Sequence, residues 1–297
     1  MTVPAQIQDA LSAMGMTDAA KTCRALAGGC IHDVQRIEFE NHNPLVAISS
    51  AGQVGLVQRR TEAVGLNALS AKAGDDLQIP EVIGLYESDH GNVLLMEWLA
   101  PGAASHEGWK TLGRALAQMH ESNIGAQYGF EHDNFIGGTP QINTWQDDWV
   151  EFNRSCRFGP QIRMARDAGH LSGDQTSSLD GLLDRLGEYL PVRPEPALLH
   201  GDLWSGNIMS LEDGGMAIID PACSIGDGWA DIAMMQLFGG VPDTCIKAYA
   251  DARTGDSAIP PERLAVYQLY HVLNHLNLFG QSYLAQVMRL FEAVTKP

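Results

Sequence analysis

The chain has 297 residues, of which 45% are hydrophobic, a composition typical of a folded globular protein and not of a disordered one. Its 36 acidic and 19 basic side chains give a formal charge of -17, which would repel a nucleic-acid backbone or an anionic membrane surface. We therefore expect neither nucleic acid nor a membrane as a partner. An acidic surface would suit a cationic, amine-bearing substrate, although many proteins are simply acidic.

The start of the sequence and its cysteines indicate the compartment. No run of about 18 or more uncharged apolar residues occurs, and residues 1–13 lack the basic-then-apolar pattern of a signal sequence. The five cysteines are widely spaced, without the Cys-x-x-Cys pairs that would indicate a zinc site. We expect a cytoplasmic protein that exists as a monomer or a weak dimer.

Residues 1–100 predict a small, mainly antiparallel sheet with one helix. After a short helical opening, residues 28–49 begin with a glycine turn and continue with alternating apolar side chains, the pattern of a strand hairpin. Residues 60–69 have the apolar spacing of a helix. Two further apolar runs, 79–83 and 93–98, predict strands. We assign this part to an N-terminal, nucleotide-binding lobe.

From residue 101 onward the apolar spacing becomes helical. Apolar side chains recur every three or four residues over 112–119 and over 179–190. Two short apolar runs, 197–199 and 216–219, flank the polar loop HGDLWSGN. We therefore expect residues 101–297 to form a mainly helical, catalytic lobe. The whole chain is predicted to have an α+β, bilobal architecture similar to that of protein kinases.

Three polar residues of this second lobe have the types and spacing that phosphoryl transfer needs. That reaction uses a carboxylate to orient or deprotonate the attacking hydroxyl, and oxygen ligands to hold Mg2+ against the phosphates. Asp202 is followed five positions later by Asn207, and Asp220 comes thirteen positions after that. This is the spacing of a kinase catalytic loop. We predict Asp202 as the base and Asn207 and Asp220 as metal ligands of an enzyme that uses ATP and Mg2+.

Longer strings resemble the fructosamine (ketosamine) kinase family, which is related to the aminoglycoside phosphotransferases. The strings are PALLHGDLWSGN (196–207), IIDPA (218–222), LFGG (237–240), PQINTWQDDW (140–149), NFIG (134–137) and YQLYHVLNHLNLFG (267–280). The resemblance implies that Asp202 activates a sugar hydroxyl of a ketosamine, the adduct of a sugar with an amine, for deglycation. The Trp204-Ser205 pair distinguishes this family from aminoglycoside and choline kinases, which are the weaker alternative.

The same resemblance indicates a nucleotide site in the first lobe. Gly28, Gly29 and Cys30 resemble the family's glycine turn, whose backbone amides cover the phosphates. Glu97 and Leu99 lie in a segment that resembles the hinge that binds adenine. Cys30 also matches a position where some family members carry a redox-sensitive cysteine, with an inert thiol as the alternative.

The lysine that grips the phosphates in such kinases is missing. It normally stands on the third strand and pairs with an acid on the next helix. Glu62 fits that acid, but Ala47 stands where we align the lysine, and no lysine occurs between residues 21 and 72. Arg59 and Arg60 could replace it, or both could be surface residues. The chain is thus either an active ketosamine kinase with a rearranged clamp, or a pseudokinase that binds nucleotide or sugar-amine with negligible turnover.

Three residues near the catalytic loop each have two interpretations. Trp204 could hold the sugar or its amine against its aromatic face, or it could stabilise the loop. Asp227 and Trp229 follow the predicted metal ligand at Asp220. They could border the acceptor pocket, or they could lie in a solvent-exposed loop.

Four other polar residues are predicted to support the structure. Asp231 and His200 are expected to hold the catalytic loop in place through hydrogen bonds. His271 and His275 stand four apart on a predicted helix, a spacing that could bind a metal. Hydrogen bonding inside the core is the favoured interpretation for this pair.

Overall fold

A computed structural model describes residues 3–16, 20–26, 33–122, 125–255 and 257–296. The N-terminal part is built on a five-stranded antiparallel sheet with the strand order β1-β2-β3-β5-β4. The strands are β1 (Thr22–Ala25), β2 (Asp33–Glu38), β3 (Leu45–Ser50), β4 (Val82–Ser88) and β5 (Gly91–Glu97). Helices α1 (Ala5–Ala13) and α2 (Gly52–Ser70) pack on opposite faces of this sheet.

The alternation of side chains along β3 separates two small cores. Leu45 and Ala47 pack in one core with Ile7 of α1. Ile48 packs in the other core with Ala63 of α2. Because successive side chains of a strand point to opposite faces of the sheet, neighbouring residues of β3 belong to different cores.

This register corrects the alignment of the missing lysine. Ala47 is fully buried on the α1 side of the sheet, so a side chain at this position points away from Glu62 on α2. Val46 and Ile48 are the residues of β3 that face α2. The strand lysine is indeed missing, and the β3 positions that face Glu62 carry Val46 and Ile48, whereas Ala47 faces the other side.

The register also predicts the effect of adding a lysine at each position. Ala47→Lys should lower the free energy of unfolding by at least about 3 kcal/mol, because it adds bulk and a charge to a packed apolar core. Ile48→Lys should cost less, since its ammonium group can reach the Glu62 carboxylate on the same face. Urea unfolding of both variants measures the difference. An equal loss in the two variants would contradict this register.

The rest of the chain is mainly helical. Its α-helices are α3 (His106–His120), α4 (Trp149–Phe152), α5 (Gly159–Asp167), α6 (Gly173–Asp184), α7 (Trp229–Leu237), α8 (Asp243–Ala252), α9 (Pro261–Phe279) and α10 (Leu284–Thr295), with a π-helix at Asn153–Phe158. Three antiparallel strand pairs interrupt them: β6 (Asn134–Ile136) with β7 (Thr139–Gln141), β8 (Pro196–Leu199) with β11 (Ser224–Asp227), and β9 (Ile208–Ser210) with β10 (Met216–Ile218). Within the described ranges, none of the helices has the length and apolarity needed to cross a bilayer.

The β9–β10 hairpin lies at the junction of the two lobes. The backbone amide of Gln78, in the link between α2 and β4, donates to the carbonyl of Met216 at 2.9 Å. Ile218 donates in return to the carbonyl of Gln78 at 3.2 Å. The segment after β5 makes a similar contact, in which the amide of Gly102 donates to the carbonyl of Ser210 at 2.7 Å. These main-chain bonds join the sheet to the strand that leads to the predicted metal ligand.

Most of the predicted elements are observed, with one shift. The predicted helix over 60–69 lies within α2, and the predicted strand over 93–98 overlaps β5. The predicted strand over 79–83 is wrong in its limits, because β4 begins only at Val82. Pro80 has no N–H to donate to a strand ladder, which accounts for the later start. Strand β1 was not predicted.

Candidate active site

The sequence HGDLWSGN forms a tight loop after β8 that brings Asp202 and Asn207 together. The side-chain amide of Asn207 donates to the backbone carbonyl of Asp202 at 2.8 Å and lies 3.4 Å from its Oδ2. One 3-10 turn, Ser205–Asn207, closes the loop. Gly201 has a φ of 83°, and a Cβ there would lie 2.1 Å from the carbonyl oxygen of Ala222. Glycine is therefore required before Asp202.

Asp220 reaches the same place from the end of β10. The amide of Ile219 donates to the carbonyl of Asn207 at 3.0 Å, and His200 Nε2 lies 2.8 Å from the carbonyl oxygen of Ile219. Asp220 has a φ of 56° and is the one non-glycine residue with positive φ in the described part of the chain. Unfavourable backbone conformations of this kind concentrate at functional sites. The three residues predicted from their spacing are thus neighbours in space.

The site is strongly anionic. Burial, together with the charges of Asp220 and Asp231, raises the pKa of Asp202 to about 8. Burial also raises the pKa of Glu62 to about 7, with Arg59 opposing that rise and Asp220 adding to it. Closely placed carboxylates disfavour one another's ionisation, and a bound cation relieves this repulsion.

Asp231, near the start of α7, fixes the backbone of the catalytic loop. Its carboxylate accepts hydrogen bonds from the amides of His200 at 2.7 Å and Gly201 at 2.8 Å. His120 Nε2 lies 3.3 Å from the same carboxylate, and His120 Nδ1 lies 2.9 Å from the hydroxyl of Tyr249. Although burial opposes ionisation, the interaction with His120 and the bond from Gly201 lower the pKa of Asp231. These bonds agree with the structural role predicted for Asp231.

The roles of His120 and Tyr249 in supporting Asp231 could not be predicted from the sequence. His120 is 111 residues from Asp231 in the sequence, and Tyr249 lies 129 residues beyond His120. No local motif links residues so far apart. A polar residue at the end of the apolar face of α3 is the one signal that could have indicated a buried histidine.

Asp227 and Trp229 are buried, so the solvent-exposed interpretation is wrong. The carboxylate of Asp227 accepts hydrogen bonds from the guanidinium of Arg263 and the hydroxyl of Tyr267. The ring of Trp229 packs edge-on against Tyr249, with 5.3 Å between ring centroids. These contacts engage both side chains inside the helical lobe. That both residues border the acceptor pocket stays a prediction.

Trp204 is half-buried two positions after Asp202. Its indole covers Gly206, where a Cβ would lie 2.3 Å from the ring atoms. The backbone amide of Trp204 donates to the carbonyl of Asp202 at 3.1 Å. This packing supports the loop, and the part of the ring that remains exposed is open to a ligand.

The predicted hinge connects the sheet to the β9–β10 hairpin. Strand β5 ends at Glu97, whose amide donates to the carbonyl of Glu81 at 2.9 Å. Leu99 is buried and packs with Leu211 and Ala217 of the hairpin. Three further residues predicted to bind nucleotide lie outside the described part of the chain: Gly28, Gly29 and Cys30.

Arg59 and Glu62 form a buried ion pair on α2. Arg59 is 3% exposed, and its Nη1 contacts Glu62 Oε2. Arg60 is exposed. The surface interpretation is therefore wrong for Arg59 and correct for Arg60. The helix acid has a basic partner although the strand lysine is missing.

His271 and His275 are held by packing and hydrogen bonding. His275 Nδ1 lies 2.8 Å from the carbonyl oxygen of His271, and the His275 ring centroid is 4.7 Å from that of Phe238. Burial lowers the pKa of His271 to about 3, so its ring is neutral. In the described segments no group of three or more His, Cys, Asp or Glu residues could hold a metal. The geometry supports the interpretation of both residues as structural.

A model of the fructosamine kinase family matches residues 3–296. The chain belongs to the fructosamine kinase family. Its curated relatives include a "Probable ketoamine kinase" of Synechocystis sp., 36% identical over 269 residues, which are 91% of this chain and 88% of the relative. A chloroplastic protein-ribulosamine 3-kinase of Arabidopsis thaliana is 34% identical over 272 residues, which are 90% of this chain and 81% of that protein.

Solved structures of the fructosamine kinase family and of more distant kinases share the fold. A crystal structure named as a candidate fructosamine-3-kinase of Haemophilus somnus matches with a TM-score of 0.85 and 25% identity, covering 97% of this chain and 96% of that one. An aminoglycoside phosphotransferase matches with a TM-score of 0.65 and 13% identity, covering 96% and 98% of the two chains. The second likeness concerns the fold alone. The predicted bilobal, protein-kinase-like α+β fold and the predicted family are both confirmed.

Proposed function

We propose that this protein is an ATP-dependent kinase that phosphorylates a sugar hydroxyl of ketosamines and so acts in deglycation. The proposal rests on one observation: Asp202, Asn207 and Asp220 lie next to one another around the catalytic loop. A binding module has little need for the base and both metal ligands together. The relatives named ketoamine kinase and protein-ribulosamine 3-kinase support the substrate class.

Asp202 is the proposed acceptor of the proton from the substrate hydroxyl. A general base works best when its pKa lies near the working pH, and burial raises the pKa of Asp202 to about 8. Asp231 accepts hydrogen bonds from the loop backbone, and these bonds hold the Asp202 carboxylate in place before a substrate binds. Both ring nitrogens of His200 are engaged, Nε2 with the carbonyl of Ile219 and Nδ1 with the amide of Asp202. His200 therefore positions the loop.

Asn207 and Asp220 are the proposed ligands of Mg2+, and their donor atoms fit that ion. Asn207 uses its amide nitrogen on Asp202, which leaves its amide oxygen for a cation, and Asp220 is exposed. Mg2+ prefers oxygen ligands and is usually bound by one or two carboxylates together with substrate phosphates. When bound, the ion supplies positive charge that stabilises the phosphoryl group during transfer.

The nucleotide is proposed to bind between the two lobes. In this proposal residues 1–100 bind ATP, and the backbone of Glu97 and Leu99 contacts adenine. The contacts of Leu99 with the β9–β10 hairpin support a hinge at this point. The glycine turn keeps its proposed role over the phosphates through Gly28, Gly29 and Cys30.

The acceptor is proposed to bind to the helical lobe, residues 101–297. Trp204 would border it, because its half-exposed ring belongs to the loop that carries Asp202. An aromatic face can pack against a sugar and can hold the cationic amine of a ketosamine.

We also infer a cytoplasmic location and a monomer or weak dimer. Four cysteines are free, buried thiols, as expected in a reducing compartment: Cys23, Cys156, Cys223 and Cys245. Burial raises the pKa of Cys223, which keeps its thiol protonated and unreactive.

Turnover against a panel of acceptors tests the proposed function. The purified protein should consume ATP in the presence of Mg2+ and a ribulosamine, fructosamine or erythrulosamine. The parent sugars and amines, supplied alone, should give no consumption above the background without acceptor. Mass spectrometry of the product should show one added phosphoryl group on the ketosamine.

Two results would contradict the proposal in different ways. Phosphorylation of an aminoglycoside or of choline, without phosphorylation of any ketosamine, would contradict the substrate class. Nucleotide binding without turnover of any acceptor would favour the pseudokinase alternative. That alternative depends on the missing strand lysine, and the buried Arg59 weakens it.

A further inference from the structure

Arg59 is a buried cation of the N-terminal lobe. Among the lysines and arginines from Lys21 to Lys72, Arg59 is the buried one, at 3% exposure. Burying a guanidinium is costly unless acidic or polar groups compensate for it. Glu62 supplies part of that compensation through their ion pair. The chain therefore retains a buried charge in a place where an apolar residue would be expected.

The turn of α2 that carries Glu62 lies near the segment that follows Asp220. Gly65, one turn after Glu62, packs against the segment that follows Asp220: a Cβ on Gly65 would lie 3.1 Å from Pro221 Cγ. The thiol of Cys223 lies 3.6 Å from the carbonyl oxygen of Gly65. Glu62 lies one turn before this contact, and the ion pair places the Arg59 guanidinium beside the Glu62 carboxylate. The influence of Asp220 on the pKa of Glu62 agrees with this proximity.

Two other basic residues of this lobe, Arg36 and Lys21, make contacts elsewhere. The guanidinium carbon of Arg36 lies 4.4 Å from the centre of the Trp98 ring, beside the predicted hinge, and its Nη2 lies 3.4 Å from Glu38. Lys21 is exposed and lies 3.6 Å from Glu40. Neither residue stands at the end of the cleft that contains the catalytic loop.

We propose that Arg59 binds the phosphates of ATP in place of the missing strand lysine, with Glu62 orienting its guanidinium. This inference depends on the proposed use of ATP. In kinases of this fold a lysine on the third strand pairs with the helix acid and contacts the phosphates. Here the β3 residues that face α2 are apolar, and the cation comes from the helix itself, one turn before the acid. The helix acid thus has a basic partner, but this partner lies on α2 and not on β3.

Arginine suits this arrangement better than lysine would from the same helix. Its guanidinium carries five N–H donors in a planar fork, and planar forks match phosphate oxygens in a bidentate manner. A guanidinium can in this way contact a carboxylate and a phosphate at the same time. The Glu62 carboxylate, buried beside Arg59, fixes the direction of that fork.

Binding measurements with adenosine and two of its nucleotides, ADP and ATP, test the proposal. Adenosine, ADP and ATP are titrated into wild-type protein and Arg59→Ala by calorimetry, without an acceptor. Loss of a charge-assisted contact should weaken ADP and ATP binding by about ten- to a hundredfold, while adenosine affinity stays the same. Arg60→Ala removes the same charge from the exposed neighbouring position and should leave all three affinities unchanged.

A second variant separates phosphate binding from folding. Arg59→Ala leaves Glu62 as an unpaired buried carboxylate and could unfold α2, whereas Arg59→Ala/Glu62→Gln removes both charges. The double variant should fold and show the same selective loss for ADP and ATP. An equal loss for adenosine, or unchanged ADP and ATP affinity in either folded variant, would overturn the proposal. Since no acceptor is used, that result would leave the kinase assignment intact, whereas wild-type protein that binds no ATP would contradict both.

Discussion

Asp202→Asn is expected to lower kcat by about a hundred- to ten-thousandfold, the contribution typical of a general base. The affinity for Mg-ATP should be nearly unchanged, because the side chain is proposed to address the acceptor hydroxyl and not the nucleotide. Asparagine keeps the size of the side chain. The bond from the Asn207 side chain to the backbone carbonyl of residue 202 does not depend on the Asp202 side chain.

Rates and nucleotide affinity must be measured on the same preparation of the Asp202→Asn variant. The stability of that variant should equal or exceed that of the wild type. Burial and the charge of Asp220 raise the pKa of Asp202, so replacing the Asp202 carboxylate by a neutral amide relieves repulsion. Asp213→Asn is a matched control, because Asp213 is exposed in the β9–β10 turn. It should retain full activity. A parallel loss of Mg-ATP affinity in Asp202→Asn would contradict the role of Asp202 as base.

Local patterns in the sequence were sufficient for the architecture. Alternating apolar side chains and a change to helical spacing after residue 101 predicted a sheet lobe followed by a helical lobe. The loop from Gly201 to Asn207 could be predicted because its function depends on residues five apart, which one tight turn brings together. Such short-range relations are visible in a linear sequence.

Strand register could not be obtained in the same way. The segment Leu45–Ser50 is apolar at most positions, so its pattern does not distinguish the side facing α1 from the side facing α2. Packing against Ile7 of α1 places Leu45 and Ala47 on one side of the sheet, so their neighbours Val46 and Ile48 face α2. A shift of one residue exchanges the two faces of a strand. The sequence could therefore establish that the lysine is missing but not which residue replaces it.

Contacts between elements far apart in the chain could not be predicted from the sequence either. Asp227 follows Asp220 closely in the sequence, yet its carboxylate pairs with Arg263, 36 residues away. The bond between His120 and Asp231 joins helices α3 and α7. Buried polar groups need partners, but their type does not tell which partner the fold supplies. Only the packed structure separates such supporting residues from those that contact a substrate.

Asp220→Ala is expected to remove the Mg2+ dependence of ATP binding. The hard cation requires an anionic oxygen at this position, and Asn207 alone offers a neutral one. A charge-assisted interaction contributes about 1.5 to 3 kcal/mol, so ATP affinity in the presence of Mg2+ should fall by roughly a hundredfold. Affinity measured with excess chelator should change little. Calorimetric titration of ATP with and without Mg2+ gives both values.

The backbone of Asp220 calls for a second variant beside the alanine. Its φ of 56° lies in the left-handed region, which Asn tolerates and which costs alanine about 1 to 2 kcal/mol. Asp220→Asn should therefore lose the Mg2+ dependence without losing stability, whereas Asp220→Ala should lose both. Glu212→Ala removes an exposed acid from the same hairpin and should change neither property. If Asp220→Asn kept a Mg2+-dependent affinity equal to that of the wild type, Asp220 would not be a metal ligand, and its strained backbone would need another explanation.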